Sequence, residues 1–373
     1  MAGPFLLIFI DSFPYYYLEK TKYMSKFETI AKITPGFGYS VNCQAELFTG
    51  KTPDELGYFC EWTYEPIHSP FQKLKPIFYL LDPVKRIYYL DRFFHRLLGK
   101  FVGDVKNIPF KYLCKMVKNG RSVFFNDLDD CLLNLPGIKK IFSTHYNYLP
   151  MEKVDYEVYK TALGAIDENK WTSFVISLTK LDAVGHWQGV GSPRYDQKIA
   201  ELDQWVQNLR NKYLAKNKDG KVVVISDHGM ANVKGGRRVD LERNFGKPSD
   251  KTYYYFLDGT ILRIWIFNDK LRTCIENYLE NLNIGKIITS KKRKEYGLTN
   301  NQFGHIIFVI NEGLMFCPGF WGKRLSKGMH GYHPELESQK GILLYSDYDK
   351  NISHKDIRSV KVYSFLRDCI FKT

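Results

Sequence analysis

The sequence contains no long apolar segment, no internal repeat and no low-complexity stretch. Its first apolar run, residues 5–10, is too short to cross a membrane and has no basic segment before it. This run therefore predicts a buried first strand, and we expect no transmembrane segment. Without a repeat or a linker of biased composition, a solenoid and a loosely tethered pair of domains are both disfavoured. We expect residues 1–373 to form one large domain with inserted elements.

Paired cysteines are also missing, since the seven cysteines are odd in number, widely spaced and never arranged as Cys-x-x-Cys. They are Cys43, Cys60, Cys114, Cys131, Cys274, Cys317 and Cys369. This pattern favours thiols over a disulfide framework and predicts a cytoplasmic location.

The charge is unbalanced, with a formal net charge of +14 and an isoelectric point near 9.2. Such a balance is compatible with nucleic acid, an anionic membrane surface or an anionic substrate. The basic residues are scattered along the chain and form only short clusters, such as residues 291–294. This distribution favours a solvated basic surface, and we expect no nucleic-acid partner.

The chain is long enough, at 373 residues with 44% hydrophobic content, to bury the core of a sizeable enzyme. Three short apolar runs, 5–10, 174–178 and 222–225, are typical of strands buried on both faces of a parallel sheet. A helical pattern follows, most clearly in residues 195–209. We therefore predict a layered α/β fold. Two less regular stretches, at about 60–150 and 233–325, are interpreted as insertions that cap the site.

Polar residues of catalytic type follow these runs. Asp11 follows the first run, Asp182 and His186 follow the second, and Asp227 and His228 follow the third. The ligands of open α/β sheets collect at the carboxyl ends of the strands, so these side chains are predicted to share one site. Gly185 is expected to allow a turn between Asp182 and His186, and Gly229 a sharp turn after His228.

A late glycine-flanked loop adds His330, with His333 as the nearby alternative, before a predicted closing strand at 341–345. Any one such Asp or His is more often a turn or capping residue. Carboxylates and imidazoles in this joint order, however, are the ligands that two metal ions about 4 Å apart require.

The candidate nucleophile is Ser40, which follows Pro35, Gly36 and Gly38 and precedes a predicted helix that extends to Phe48. We expect Ser40 at the N-cap of this helix. The helix N-terminus would then face phosphoryl oxygens, and Asn42 could donate to one of them.

The joint pattern resembles the alkaline phosphatase superfamily, most closely its type I phosphodiesterase and nucleotide pyrophosphatase branch. The matching motifs extend from Asp11 to Tyr345 and include the segment LFTGKTPDELG after the nucleophile. The resemblance implies a three-layer sandwich with a mostly parallel central sheet and inserted caps. It also implies two divalent ions, zinc with manganese as the alternative.

By the same resemblance, one ion would be held by Asp182, His186 and His330. The other would be held by Asp11, Asp227 and His228, with Ser40 bridging toward it.

The expected function is a metal-dependent phosphoric ester hydrolase, similar to a phosphodiesterase or nucleotide pyrophosphatase, that acts through a phosphoserine. Its substrate would be an anionic phosphate ester, such as a nucleotide or a lipid or sugar headgroup. A phosphomonoesterase or a phosphotransferase of the same superfamily is the alternative. A sulfatase is disfavoured because the residues after Cys43 do not complete the Cys-x-Pro-x-Arg pattern that sulfatases require. A cofactor-independent phosphoglycerate mutase and an inactive binding protein for an anionic partner remain minor alternatives.

Overall fold

The fold comes from a computed structural model, which describes residues 3–81, 93–99, 105, 107–120, 122–125, 128–143 and 151–371. The chain forms two compact units. The first contains Met1–Thr52, Ser122–Asn232 and Ser326–Thr373, and the second contains Pro53–Arg121 and Val233–Leu325.

The strands and helices are numbered along the chain. The strands are β1 (Phe5–Ile10), β2 (Thr29–Thr34), β3 (Trp62–Tyr64), β4 (Met116–Lys118), β5 (Ile138–Ile141), β6 (Ser173–Leu178), β7 (Lys221–Ile225), β8 (Ala231–Asn232), β9 (Gly235–Arg237), β10 (Tyr253–Leu257), β11 (Ile261–Ile266), β12 (Gly285–Ile287), β13 (Ile306–Ile310), β14 (Leu314–Phe316), β15 (Gly328–Met329), β16 (Gly341–Tyr345) and β17 (Asp356–Arg358). The helices are α1 (Ser40–Thr49), α2 (Pro53–Leu56), α3 (Lys75–Leu81), α4 (93–99), α5 (Phe110–Leu113), α6 (Met151–Asp167), α7 (Lys180–Gln188), α8 (Pro193–Lys216), α9 (Leu241–Phe245), α10 (Asp269–Asn281), α11 (Ser290–Glu295) and α12 (Ser359–Phe371).

The first unit is built on a seven-stranded sheet in the order β17-β2-β16-β7-β1-β6-β5. Strand β1 runs parallel to both β6 and β7, β5 runs parallel to β6, and β17 runs parallel to β2. Strand β16 is antiparallel to its two neighbours. The predicted mostly parallel sheet is therefore confirmed, and the predicted closing strand is present inside the sheet.

Both faces of this sheet are buried, because alternate residues of β1 enter two different apolar clusters. Leu6 and Ile8 join the cluster that contains residues of α6 and α8. Phe5 and Leu7 join the cluster that contains residues of α1 and α12. Each fully buried Leu, Ile or Phe side chain contributes about 1.5–3 kcal/mol relative to an exposed one. Helices thus cover the sheet on both sides, as the predicted three-layer fold requires.

The second unit contains a four-stranded antiparallel sheet in the order β10-β11-β13-β12. Strands β3 and β4 form a separate antiparallel pair, and β9 pairs in parallel with β14. The predicted insertions overlap this unit, although residues from Ser122 onward group with the first unit. Parts of the predicted insertion at 60–150 lie outside the described residues, and its capping role stays a prediction.

One local expectation was wrong, and one glycine has a further role. Asp182 and His186 do not flank a turn at Gly185 but lie on the continuous helix α7. Gly229 is needed for close packing, because a Cβ atom there would lie 2.2 Å from the carbonyl oxygen of Ser338.

No described helix is both long enough and apolar enough to cross a bilayer.

Candidate metal centre and nucleophile

Three neighbouring parallel strands bring their carboxyl ends to one edge of the central sheet. The register pairs Ile10 of β1 with Leu178 of β6, and Phe9 of β1 with Ile225 of β7. Asp11 directly follows β1, and its backbone N–H donates to the Leu178 carbonyl at 2.9 Å. The segments that carry the predicted ligands therefore end at the same level, as expected for the ligand-binding edge of an α/β sheet.

Helix α7 presents Asp182 and His186 on one face, because residues four apart lie about one helical turn from each other. His330 joins them from the loop after β15, and the three side chains form a potential metal-binding group. The Oδ1 atom of Asp182 lies 3.4 Å from His186 Nε2 and 3.5 Å from His330 Nε2. The first predicted ligand set is thus brought together.

A second group consists of Asp11, Asp182 and His228, whose ligand atoms all lie within 4.8 Å of one another. Asp227 lies beside it, with Oδ2 3.4 Å from His228 Nε2, while Asp11 Oδ1 is 3.7 Å from the same nitrogen. The second predicted set is therefore also adjacent, and Asp182 belongs to both groups. His333 is in neither group among the described residues.

Backbone carbonyl groups orient two of the three candidate histidine ligands. His186 Nδ1 lies 2.9 Å from the Gly328 carbonyl oxygen, and His228 Nδ1 lies 2.9 Å from the Gly229 carbonyl oxygen. A carbonyl oxygen accepts only from a protonated nitrogen, so Nδ1–H donates in each ring. The Nε2 lone pairs then point toward the carboxylates, which is the tautomer that binds metal through Nε2.

The three carboxyl groups of Asp11, Asp182 and Asp227 have shifted pKa values, because they are buried close to one another and to the histidines. Burial raises the pKa of Asp11 well above its ordinary value, and the negative charges of Asp227 and Asp182 raise it further. Burial also raises the pKa of Asp227, against an opposing effect of His228. For Asp182 burial acts in the same direction, but in the metal-free protein the positive charge of protonated His186, His330 and His228 holds its pKa below its ordinary value.

This donor set fits divalent cations. The Oδ1 atoms of Asp11 and Asp182 are buried and accept no hydrogen bond. Burying a carboxylate oxygen without a donor is costly unless a cation coordinates it. Imidazole nitrogens together with carboxylate oxygens are typical ligands of zinc and related ions. Two ligand groups that share Asp182 are consistent with two neighbouring ions.

Ser40 is the first residue of α1, and its Oγ atom lies 2.8 Å from His228 Nε2. The expected N-cap position was wrong, because Tyr39 occupies it with extended backbone angles. Gly38, at φ 133°, gives the preceding turn a conformation that glycine adopts readily. The serine hydroxyl is thereby held at the helix N-terminus and beside the second ligand group.

Asn42 is completely buried below this turn. Its Oδ1 atom accepts from the Tyr39 N–H at 3.0 Å, and its Nδ2 atom donates to the Phe37 carbonyl at 2.8 Å. It also donates to Glu46. Asn42 would have to release one of these contacts to donate to a phosphoryl oxygen, so that role stays a prediction.

Sequence reasoning missed Gln44 and Asp155. Gln44 lies one helical turn after Ser40, and its Nε2 atom is 3.2 Å from Asp227 Oδ2 and 3.5 Å from Asp11 Oδ2. The four-residue spacing from the nucleophile was the available signal. Asp155 of α6 accepts the backbone N–H groups of Thr179 and Lys180 at 3.0 Å each, and thereby caps the start of α7. No local sequence pattern indicates this distant cap.

Residues 138–333 match the family model described as "Type I phosphodiesterase / nucleotide pyrophosphatase". Among curated proteins, GPI ethanolamine phosphate transferase 2 of Candida albicans is 33% identical over 81 residues, which are 22% of this chain and 9% of that protein. The catalytic subunit of human GPI ethanolamine phosphate transferase 3 is 26% identical over 118 residues, which are 31% of this chain and 11% of that protein. The aligned segments thus span about a tenth of these relatives.

Among solved structures, an inactive form of murine ectonucleotide pyrophosphatase / phosphodiesterase 5 in complex with AMP is similar over 98% of this chain and 94% of that chain. The TM-score is 0.65 at 16% sequence identity. The human counterpart aligns with the same coverage and identity and a TM-score of 0.63. At this level of identity, the similarity concerns the fold.

Proposed function

Because the chain belongs to the type I phosphodiesterase / nucleotide pyrophosphatase family, we propose that it cleaves a phosphate ester with Ser40 as the nucleophile and two divalent ions as cofactors. The observation that carries this proposal is the position of Ser40 Oγ, 2.8 Å from His228 Nε2 and beside two ligand groups that share Asp182. We keep the cytoplasmic location as part of the proposal, on the cysteine pattern alone.

The residues have separate roles in this mechanism. Asp182, His186 and His330 would hold one ion, and Asp11, Asp227 and His228 the other, zinc being preferred and manganese the alternative. When bound, such ions supply positive charge that lowers the pKa of a coordinated hydroxyl and neutralises phosphoryl oxygens.

Ser40 Oγ attacks phosphorus and its proton passes to solvent, while the bond from phosphorus to the leaving oxygen breaks and that oxygen departs, taking up a proton from solvent. The phosphorylated serine is held at the N-terminus of α1, where backbone N–H groups and the helix dipole favour negative charge. Water then displaces the serine oxygen, which regains a proton. Two successive displacements retain the configuration at phosphorus.

A phosphotransferase is the second candidate, and the two GPI ethanolamine phosphate transferases support it. In this version the hydroxyl of a sugar or lipid displaces the serine oxygen in place of water. The chemistry at Ser40 is the same until that step. Product analysis with and without an acceptor alcohol separates the two candidates, because transfer yields a new ester where hydrolysis yields an acid.

The test is turnover of bis(p-nitrophenyl) phosphate and p-nitrophenyl phosphate with added zinc or manganese. We expect Ser40→Ala and Asp227→Asn each to lower kcat/KM by about a thousandfold or more. Ser40→Ala should still bind metal, since the Asp and His side chains of both three-residue groups stay in place. Failure of the wild type to bind any divalent ion would contradict the proposal. Metal binding with salt-dependent nucleic-acid binding and no turnover would favour the inactive binding protein instead.

A further inference from the structure

The turn that leads to Ser40 is packed against two side chains that point back from helix α1. A Cβ atom at Gly36 would lie 2.2 Å from Glu46 Oε1, and one at Gly38 would lie 2.3 Å from Asn42 Oδ1. Side chains of an α-helix tilt toward its N-terminus, which brings these two polar groups under the turn. Glu46 and Asn42 are 4% and 0% exposed. The backbone before Ser40 is therefore in close contact with a buried carboxyl group and a buried amide.

Hydrogen bonds connect the Glu46 carboxyl group to this turn through Asn42. The Asn42 amide donates to Glu46, and its Nδ2 atom also donates to the Phe37 carbonyl at 2.8 Å. Asn42 Oδ1 accepts from the N–H of Tyr39, the residue before Ser40, at 3.0 Å. An amide nitrogen has two protons, so Glu46 and the Phe37 carbonyl together fix the orientation of the amide. The backbone at Ser40 thus depends on a carboxyl group from the next turns of the same helix.

The other side of this carboxyl group is bound to helix α12. Ser359 Oγ donates to Glu46 Oε2 at 2.5 Å, and Ser359 is the first residue of α12. Arg358, the last residue of β17, carries the charge that acts on Glu46, and it favours the ionised carboxylate. Asp356 of the same strand is paired with Lys340 at 2.7 Å. The Glu46 carboxylate therefore joins α1 to α12 and has hydrogen-bond donors on both sides.

We propose that Glu46 is a positioning residue for the nucleophile, and that its ionised carboxylate holds the Asn42 amide so that the turn keeps Ser40 Oγ beside His228. The inference rests on the proposed function, because it takes Ser40 as the group that attacks phosphorus. A hydrogen bond to a charged acceptor is about twice as strong as one to a neutral acceptor. Loss of the charge should therefore loosen the turn while every candidate metal ligand stays in place.

The effect of Glu46 on stability separates a positioning role from a purely structural one. Burial raises the pKa of Glu46 to about 7, so the ionised form is less favourable in the folded chain than in the unfolded chain. Glu46→Gln resembles the protonated form in shape and in hydrogen bonding. Above the Glu46 pKa, this variant should therefore be more stable than the wild type and nevertheless slower. A carboxyl group that only stabilised the fold would give a variant at least as active as the wild type.

Turnover of bis(p-nitrophenyl) phosphate by the zinc-loaded complete chain is measured at two pH values, one unit below and one unit above the Glu46 pKa. The ratio of wild type to Glu46→Gln cancels the titration of groups that the two proteins share. We expect equal kcat within about twofold at the lower pH, and a kcat about three- to tenfold lower in Glu46→Gln at the higher pH. KM should stay within about twofold, because no group that contacts the substrate is removed. The same kcat ratio at both pH values would overturn the positioning role.

A second measurement needs no turnover. Hydrogen exchange in the peptide of residues 37–42 is followed by mass spectrometry on the metal-free protein at the higher pH. Glu46→Ala should speed exchange in this peptide about tenfold. The matched control is Asp203→Ala, which removes another buried carboxylate that accepts backbone N–H groups, and it should leave this exchange unchanged. Unchanged exchange in Glu46→Ala would overturn the positioning role, whereas faster exchange together with an inactive wild type would contradict the proposed function alone.

Discussion

Substitution of Asp155 tests how the fold positions the candidate metal ligands on α7. Its two carboxylate oxygens accept the first N–H groups of α7, the helix that carries Asp182 and His186. Hydrogen bonds to a charged acceptor contribute about 1.5–3 kcal/mol each. Asp155→Asn keeps the volume and one acceptor. We therefore expect a loss of about 2–4 kcal/mol in the free energy of unfolding and a 10–100-fold loss of zinc affinity.

Asp203→Asn is the matched control. Asp203 is also buried, and it accepts the backbone N–H groups of Lys22, Tyr23 and Met24. This cap resembles that of Asp155 but holds no segment that carries a candidate ligand. Chemical denaturation should give similar losses of stability in the two variants. Competitive zinc titration should detect weakened binding in Asp155→Asn alone. Equal zinc affinity in the two variants would refute the positioning role.

Three further predictions concern groups near the nucleophile helix. Burial raises the pKa of Glu46 from 4.5 to about 7, so the folded state holds the Glu46 proton more tightly than the unfolded state does. The free energy of unfolding should therefore fall by about 3 kcal/mol from pH 4.5 to pH 7. Glu46→Gln should remove this fall in denaturation curves recorded across that range. Gln44→Ala removes a hydrogen-bond donor to Asp227 and should weaken the binding of one of the two zinc ions about tenfold, as measured by titration. Equal weakening of both zinc ions would contradict this prediction. Gly229→Ala forces a clash with the Ser338 carbonyl oxygen and should lower the free energy of unfolding by about 1–3 kcal/mol. An unchanged midpoint of chemical denaturation would disprove the close packing at this position.

The sheet could be predicted because its strands are continuous apolar runs. A run such as β7 is buried on both faces and ends at Ile225, two positions before Asp227, so the run predicts both the strand and the position of the ligand. The same reasoning could not find that α7 begins at Lys180. Gly185 suggested a turn, whereas Asp155 caps the start of α7 from a distant helix and Gly185 lies inside α7. A Cβ atom at Gly185 would lie 3.0 Å from Met230 Cε, which is a reason for glycine there.

Other features that the sequence does not reveal arise where distant segments meet. Tyr39 is at the N-cap because Asn42 satisfies its backbone N–H from within α1, which a preference for serine at N-caps does not reveal. The need for glycine at position 229 comes from Ser338, more than 100 residues away along the chain. The candidate metal ligands can be predicted from the residues that follow each strand. Helix caps and close contacts cannot, because they depend on segments that meet only in the folded chain.

The covalent state of Ser40 tests the central claim most directly. The zinc-loaded protein is mixed with bis(p-nitrophenyl) phosphate, quenched rapidly in acid, digested and analysed by mass spectrometry. We predict a phosphoryl adduct on the peptide that contains Ser40 and no adduct in Ser40→Ala, which should also lose turnover. Turnover that persists in Ser40→Ala, or an adduct on another residue of the active wild type, would contradict the assignment of Ser40 as the nucleophile.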